Sequence, residues 1–118
     1  MTGVQTCALP IFCTSADIIA AYAYLNDLIE AGSVTDLRVI NMSLGYYSNE
    51  SDEADEALRQ SIASMLDEHG VLTVCAGGNG DTSGQASTAT CYPSDFDECL
   101  SVTEIGRASC RERVFRAV

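Results

Sequence analysis

Lysine is absent from this sequence. The six cations it has are all arginine, set against 17 acidic residues for a formal net charge of −11. A surface so poor in positive charge cannot neutralise a row of phosphates, which excludes nucleic acid as a partner. Long apolar runs are missing too: nothing approaches the roughly 20 consecutive residues of a bilayer span, so no membrane segment is expected. The amino-terminal stretch has an apolar patch from Ala8 to Phe12 but neither a positive region nor a small-residue cleavage site, and does not read as a signal peptide. With two prolines and 47% hydrophobic residues among 118, the chain falls in the globular class and has length for one small domain.

The two ends differ from the middle. Four of the six arginines, Arg107, Arg111, Arg113 and Arg116, crowd the carboxyl end. Gly3-Val4-Gln5-Thr6-Cys7-Ala8-Leu9-Pro10-Ile11 and Ile105-Gly106-Arg107-Ala108-Ser109-Cys110-Arg111-Glu112-Arg113-Val114 carry no periodicity, cap or motif. Both resemble adapter oligonucleotides left on a short DNA read and translated in frame. Segments 1–11 and 105–118 are therefore expected to be artefacts, with 12–104 as the folding part. A genuine basic tail docked on the acidic body is the other reading of the carboxyl end. Cys7 and Cys110 lie in these ends, which leaves Cys13, Cys75, Cys91 and Cys99.

Within the middle, Ser15 can cap a helix whose apolar positions Ile18, Tyr22, Leu25 and Ile29 recur every three or four residues before Gly32 stops it. Residues 37–43, β-branched at their centre, predict a strand. Ser51 precedes Asp52, Glu53, Asp55 and Glu56, acids suited to a helix amino terminus, and Ala54, Leu58, Ile62 and Met65 supply an apolar stripe that runs out near Gly70. Residues 71–76 are nearly all apolar, as a strand buried on both faces would be, and 100–103 form a third, shorter candidate. This order predicts an α/β fold with a parallel sheet of about three strands and two helices. Roughly 90 residues are few for a sheet covered on both faces, so a piece of a larger domain is expected.

Strands ending in Gly-rich loops are where α/β proteins place ligands, and two such ends occur here. They are Val39-Ile40-Asn41-Met42-Ser43-Leu44-Gly45 and Val71-Leu72-Thr73-Val74-Cys75-Ala76-Gly77-Gly78-Asn79-Gly80. With Cys91-Tyr92-Pro93-Ser94 and Leu100-Ser101-Val102 they resemble, in order and spacing, the middle of the catalytic domain of subtilisin-like serine proteases, from about Asp17 to Val102. The resemblance implies a partial three-layer subtilisin-like fold and peptide-bond hydrolysis through an acyl-enzyme. It implies that Asn79 donates its side-chain amide to the developing oxyanion. It further implies that Ser43, Leu44 and Gly45 pair with an extended substrate, that Ala76, Gly77 and Gly78 form the opposite wall of the pocket before the scissile bond, and that Cys91 lies at its floor. Secretion or cell-surface display, a peptide or protein substrate and structural calcium elsewhere in the domain also go with the family. Read without the family, Asn79 is a turn asparagine in a Gly-rich loop.

A serine protease needs a base beside its nucleophile and an acid to orient that base. The family carries its Asp and His in motifs before the matching stretch and its Ser in a Gly-Thr-Ser-Met-Ala motif after it. None of these motifs is in the sequence, so the chain by itself is expected to be inactive. The single histidine, His69, closes the second helix, where an imidazolium gains from the dipole. Asp81-Thr82-Ser83-Gly84 reads as a polar turn, since its glycine comes one place late for an Asp-Thr-Gly core. Gly78-Asn79-Gly80 lacks the third glycine of a dinucleotide fingerprint, and residues 50–56 lack the alternating ligands of a calcium loop, so no cofactor or metal site is expected here. Cys91 and Cys99 could close a short disulfide loop or stay free, whereas Cys75 reads as a buried thiol. The alternative function is a small non-enzymatic α/β module that holds an anion or a peptide at its Gly-rich strand ends.

Overall fold

A computed structural model describes residues 13–48, 52–78 and 89–103. Seven elements follow in the order α1 (Ser15–Glu30), β1 (Val39–Met42), β2 (Tyr46–Ser48), α2 (Glu53–His69), β3 (Leu72–Ala76), β4 (Thr90–Tyr92) and β5 (Cys99–Val102). Strands β1, β3 and β5 pair in parallel, as the sequence order predicts, with β3 at the centre, and β2 pairs antiparallel with β4 as a separate ribbon.

Both helices begin on a reciprocal cap. In α1 the cap is Thr14, one residue before the Ser15 expected from the sequence. Thr14 wins because Asp17 stands three residues on: the Thr14 hydroxyl accepts from the Asp17 N–H at 3.3 Å, and the Asp17 carboxylate accepts from the Thr14 N–H at 2.8 Å. Those bonds from Thr14 hold the Asp17 carboxyl below its ordinary range. In α2, Asp52 caps in the same way with Asp55 as its partner. At the other end Gly70 adopts φ +66°, a left-handed cap whose N–H reaches the Leu66 carbonyl.

The core lies on one face of the three-stranded sheet. Ile18 and Tyr22 of α1 and Leu58, Ile62 and Met65 of α2 meet Met42, Val71, Cys75 and Phe96 there. Ala54 is exposed and Asp55 is buried in its place, so the stripe expected on α2 starts one residue later with a carboxylate. The burial is tolerated because Asp55 accepts from the Asp52 N–H and from the Tyr46 hydroxyl. From α1, the Tyr22 hydroxyl and the fully buried Thr73 hydroxyl of β3 share a 2.6 Å hydrogen bond.

The expectation that β3 is buried on both faces is not met among the described residues. Thr73 and Cys75 face the helices, whereas Leu72 and Val74 face away beside Val39, Leu100 and Val102, on a face that no described helix covers. Val39 and Val102 are 52% and 54% exposed as a result. Cys13, Cys75 and Cys99 are free thiols. The Cys99 thiol interacts with Cys75 across the strand pair, and that contact together with burial pushes Cys99 well above the usual thiol range.

Two outcomes follow from the polar bonds of the core. Tyr22→Phe strands the buried Thr73 hydroxyl and should lower stability by about 1–3 kcal/mol, read as a drop in the urea midpoint; an unchanged midpoint would show the bond to be idle. Burial raises both Tyr22 and Tyr46 from 10 to about 12. Between those values the folded chain keeps protons that the unfolded chain releases, so stability is complete below pH 10 and falls as pH rises toward 12. Tyr46→Phe should blunt that fall, and a midpoint flat across the window would contradict it.

Candidate functional site

The register of β1 against β3 sets Val39 beside Leu72 and Met42 beside Cys75, so the two strands finish level. The chain then leaves them side by side, as Ser43, Leu44 and Gly45 from β1 and as Ala76, Gly77 and Gly78 from β3. Ser43, Leu44, Gly45 and Ala76 are exposed, and the Asn41 amide donates to the Ser43 hydroxyl at 3.0 Å. On the other side the Gly77 N–H donates to the Val102 carbonyl at 2.8 Å, which carries the β3–β5 pairing one residue past the strand.

Three glycines define the space between these edges. A Cβ on Gly77 would collide with the Thr103 methyl and crowd the Val102 carbonyl, so a side chain there would force Thr103 to shift. Gly78 has φ +85°, a conformation side chains disfavour, and a Cβ there would strike the Tyr47 hydroxyl and come within 3.1 Å of the Cys91 sulfur. A Cβ on Gly45 would lie 3.4 Å from the same sulfur and 3.1 Å from the Tyr92 carbonyl. Both edges therefore close down on Cys91, whose thiol is buried between them.

Cys91 is held there by its own loop. Its N–H donates to the Asp95 carboxylate at 2.8 Å, and its carbonyl accepts from the Ser94 hydroxyl and the Asp95 N–H. The β2–β4 ribbon that carries it was not expected, because two three-residue strands 44 positions apart leave no periodic signal. On one side of the ribbon Tyr46 packs against Tyr92 in a tilted pair and Tyr92 stacks on Phe96, with ring centroids 5.9 and 4.8 Å apart.

A hollow of about 530 Å³ adjoins the first edge, lined by Cys13, Thr14, Ser15, Ile18, Leu44, Gly45 and Tyr46. At its base the Tyr46 hydroxyl donates to Asp55 and accepts from Ser15 at 3.5 Å. Burial raises the Tyr46 pKa to about 12, with the Asp55 carboxylate adding to the shift, so the phenol stays a neutral donor. The sequence offered no sign of this hollow, since Cys13 and Leu44 become neighbours only through the packing of α1 beside the end of β1.

The structure thus brings together Ser43, Leu44, Gly45, Ala76, Gly77, Gly78 and Cys91. Asn79 lies outside the described residues. His69 sits at the opposite end of the sheet, where the carboxyl end of α2 leads into β3, and its Nε2 meets Asn26 at 2.8 Å and Glu30 at 3.6 Å. Among the described residues, no group of three or more His, Cys, Asp or Glu is placed to hold a metal ion, and no helix is long and apolar enough to cross a membrane. Arg38 and Arg59 are the described cations: Arg38 precedes the start of β1, and Arg59 is paired with Glu98 at 3.0 Å.

No curated protein and no solved structure matches the chain. The model of the Subtilase family matches residues 5–114, which takes in every described element and reaches into both terminal segments. The two level strand ends, the glycines between them and this match over most of the length agree, and the chain belongs to the subtilase family.

Proposed function

We propose that the chain is an internal stretch of the catalytic domain of a subtilisin-like serine endopeptidase, supplying two walls of the substrate cleft and one oxyanion donor but no triad. The observation that carries this reading is the juxtaposition of Ser43–Gly45 and Ala76–Gly78 over the Cys91 thiol. An extended peptide can add to the exposed edge at 43–45 as a further strand. The side chain before the scissile bond would then enter between the edges toward Cys91. The apolar hollow beside Leu44 gives the same peptide a second place to rest farther along.

Asn79 follows Gly78 in the sequence and lies outside the described residues, and the oxyanion role comes to it from the family resemblance. A side-chain amide in that role meets negative charge that exists only after attack on the carbonyl, and such a donor stabilises the transition state rather than the bound substrate. Activity requires the Asp, His and Ser motifs that this sequence lacks, and His69, at the far end of α2, does not replace them. The substrate is peptide or protein, and the whole enzyme works outside the cell or at its surface, in keeping with the family. The reading as an anion-binding module is weaker, because Arg38 and Arg59 both stand away from the strand ends.

In the complete enzyme, Asn79→Leu should lower kcat by roughly two to three orders of magnitude with little change in KM. Reduced folding yield with normal turnover in the surviving enzyme would mark Asn79 as a turn residue instead. The 118-residue chain should remain unlabelled by a serine-reactive phosphonate, and stoichiometric labelling would overturn the claim that it lacks a nucleophile and base.

A further inference from the structure

Tyr47 and Cys91 are direct partners across the antiparallel β2–β4 ribbon. Residues opposite each other in such a pair project from the same side. Here that side faces Gly78: the hydrogen-bearing position of Gly78 points at the Tyr47 hydroxyl and then at the Cys91 sulfur. Tyr46 and Tyr92 occupy the other side of the ribbon, where their rings pack at a tilt. One three-residue strand therefore sends one tyrosine into the helix interface and the next to the cleft.

The space this leaves between the edges is small. The Cys91 sulfur stands in contact range of both Gly45 and Gly78, which places a heavy atom across the slot at its base. Cys91 is 5% exposed, so the sulfur is packed from below and cannot easily retreat. Tyr47 is 40% exposed and reaches Gly78 from the mouth of the slot. A bulky side chain entering from solvent meets the phenol first and the thiol next.

We propose that Tyr47 and Cys91 together set specificity, restricting the residue on the acyl side of the scissile bond to glycine, alanine or serine. This rests on the reading of the two strand ends as walls of a substrate cleft. Tyr47 acts as the gate and Cys91 as the raised floor. Gly45 and Gly78 are glycine because a side chain on either would fill what room remains.

The test uses the 118-residue chain, isotopically labelled and titrated by NMR with two blocked tetrapeptide acids, acetyl-Ala-Ala-Pro-Ala and acetyl-Ala-Ala-Pro-Phe. The alanine peptide should bind at least tenfold more tightly than the phenylalanine peptide. Tyr47→Ala should bring the two within about threefold, while Tyr47→Phe, which keeps the ring, should retain the preference. Equal binding of both peptides by the unaltered chain overturns the gate and leaves the cleft standing, as does a preference that survives in a folded Tyr47→Ala chain. Binding of neither peptide removes the cleft reading itself. If Tyr47→Ala loses its helical far-ultraviolet spectrum, the unaltered chain and Tyr47→Phe still decide the question.

Discussion

The parallel register of β1 on β3 is the constraint on which the other features of this molecule depend. Because Met42 lies beside Cys75, the segments that follow the two strands leave the sheet at the same level, and the proposed cleft is the gap between them. Parallel strands cannot be joined by a short turn, so α2 is the crossover that makes this register possible. The same crossover carries His69 to the far end of the sheet, which separates the lone imidazole from the cleft by the length of β3. Pairing of β3 with β5 then completes the second edge, since the Gly77 N–H is held by the Val102 carbonyl and Gly77 lies close against Thr103.

Buried polar groups fix how the helices sit on this sheet. Tyr22 reaches Thr73 from α1, and Tyr46 joins the start of α1 to the start of α2 through Ser15 and Asp55. An unpaired carboxylate at the Asp55 position would be costly, and two backbone or side-chain donors remove that cost. Tyr46 follows directly on Gly45, so the bond that orders the helix starts also anchors the segment after β1. The face with Val39, Leu72, Val74, Leu100 and Val102, which no described helix covers, is apolar, as suits a sheet that more of a subtilase catalytic domain would cover.

Much of this architecture is legible in the sequence, and the exceptions have physical causes. The apolar period of α1 and α2 and the β-branched runs of β1 and β3 announce their elements, with ends differing by a residue or two. Thr14 displaces Ser15 as a cap because a reciprocal partner three residues later outweighs a hydroxyl alone. Asp55 displaces Ala54 from the buried stripe because its partner, Tyr46, lies on a different element and cannot be found by periodicity. For the same reason the β2–β4 ribbon is invisible in the sequence: its pairing is long-range and its strands too short to alternate. Family resemblance singles out Ser43–Gly45, Ala76–Gly78 and Cys91 in the sequence, and the fold sets them side by side; it does not single out Tyr47, whose position opposite Cys91 depends on the long-range pairing of that ribbon.

The central claim is that one extended peptide lies between the two strand ends. Intermolecular nuclear Overhauser effects between a bound unlabelled peptide and the labelled chain test it most directly. The account predicts contacts from a single peptide to the amides of both Leu44 or Gly45 and Gly77 or Gly78. Contacts confined to the face bearing Val39, Leu72 and Val102, or to one strand end alone, would contradict it.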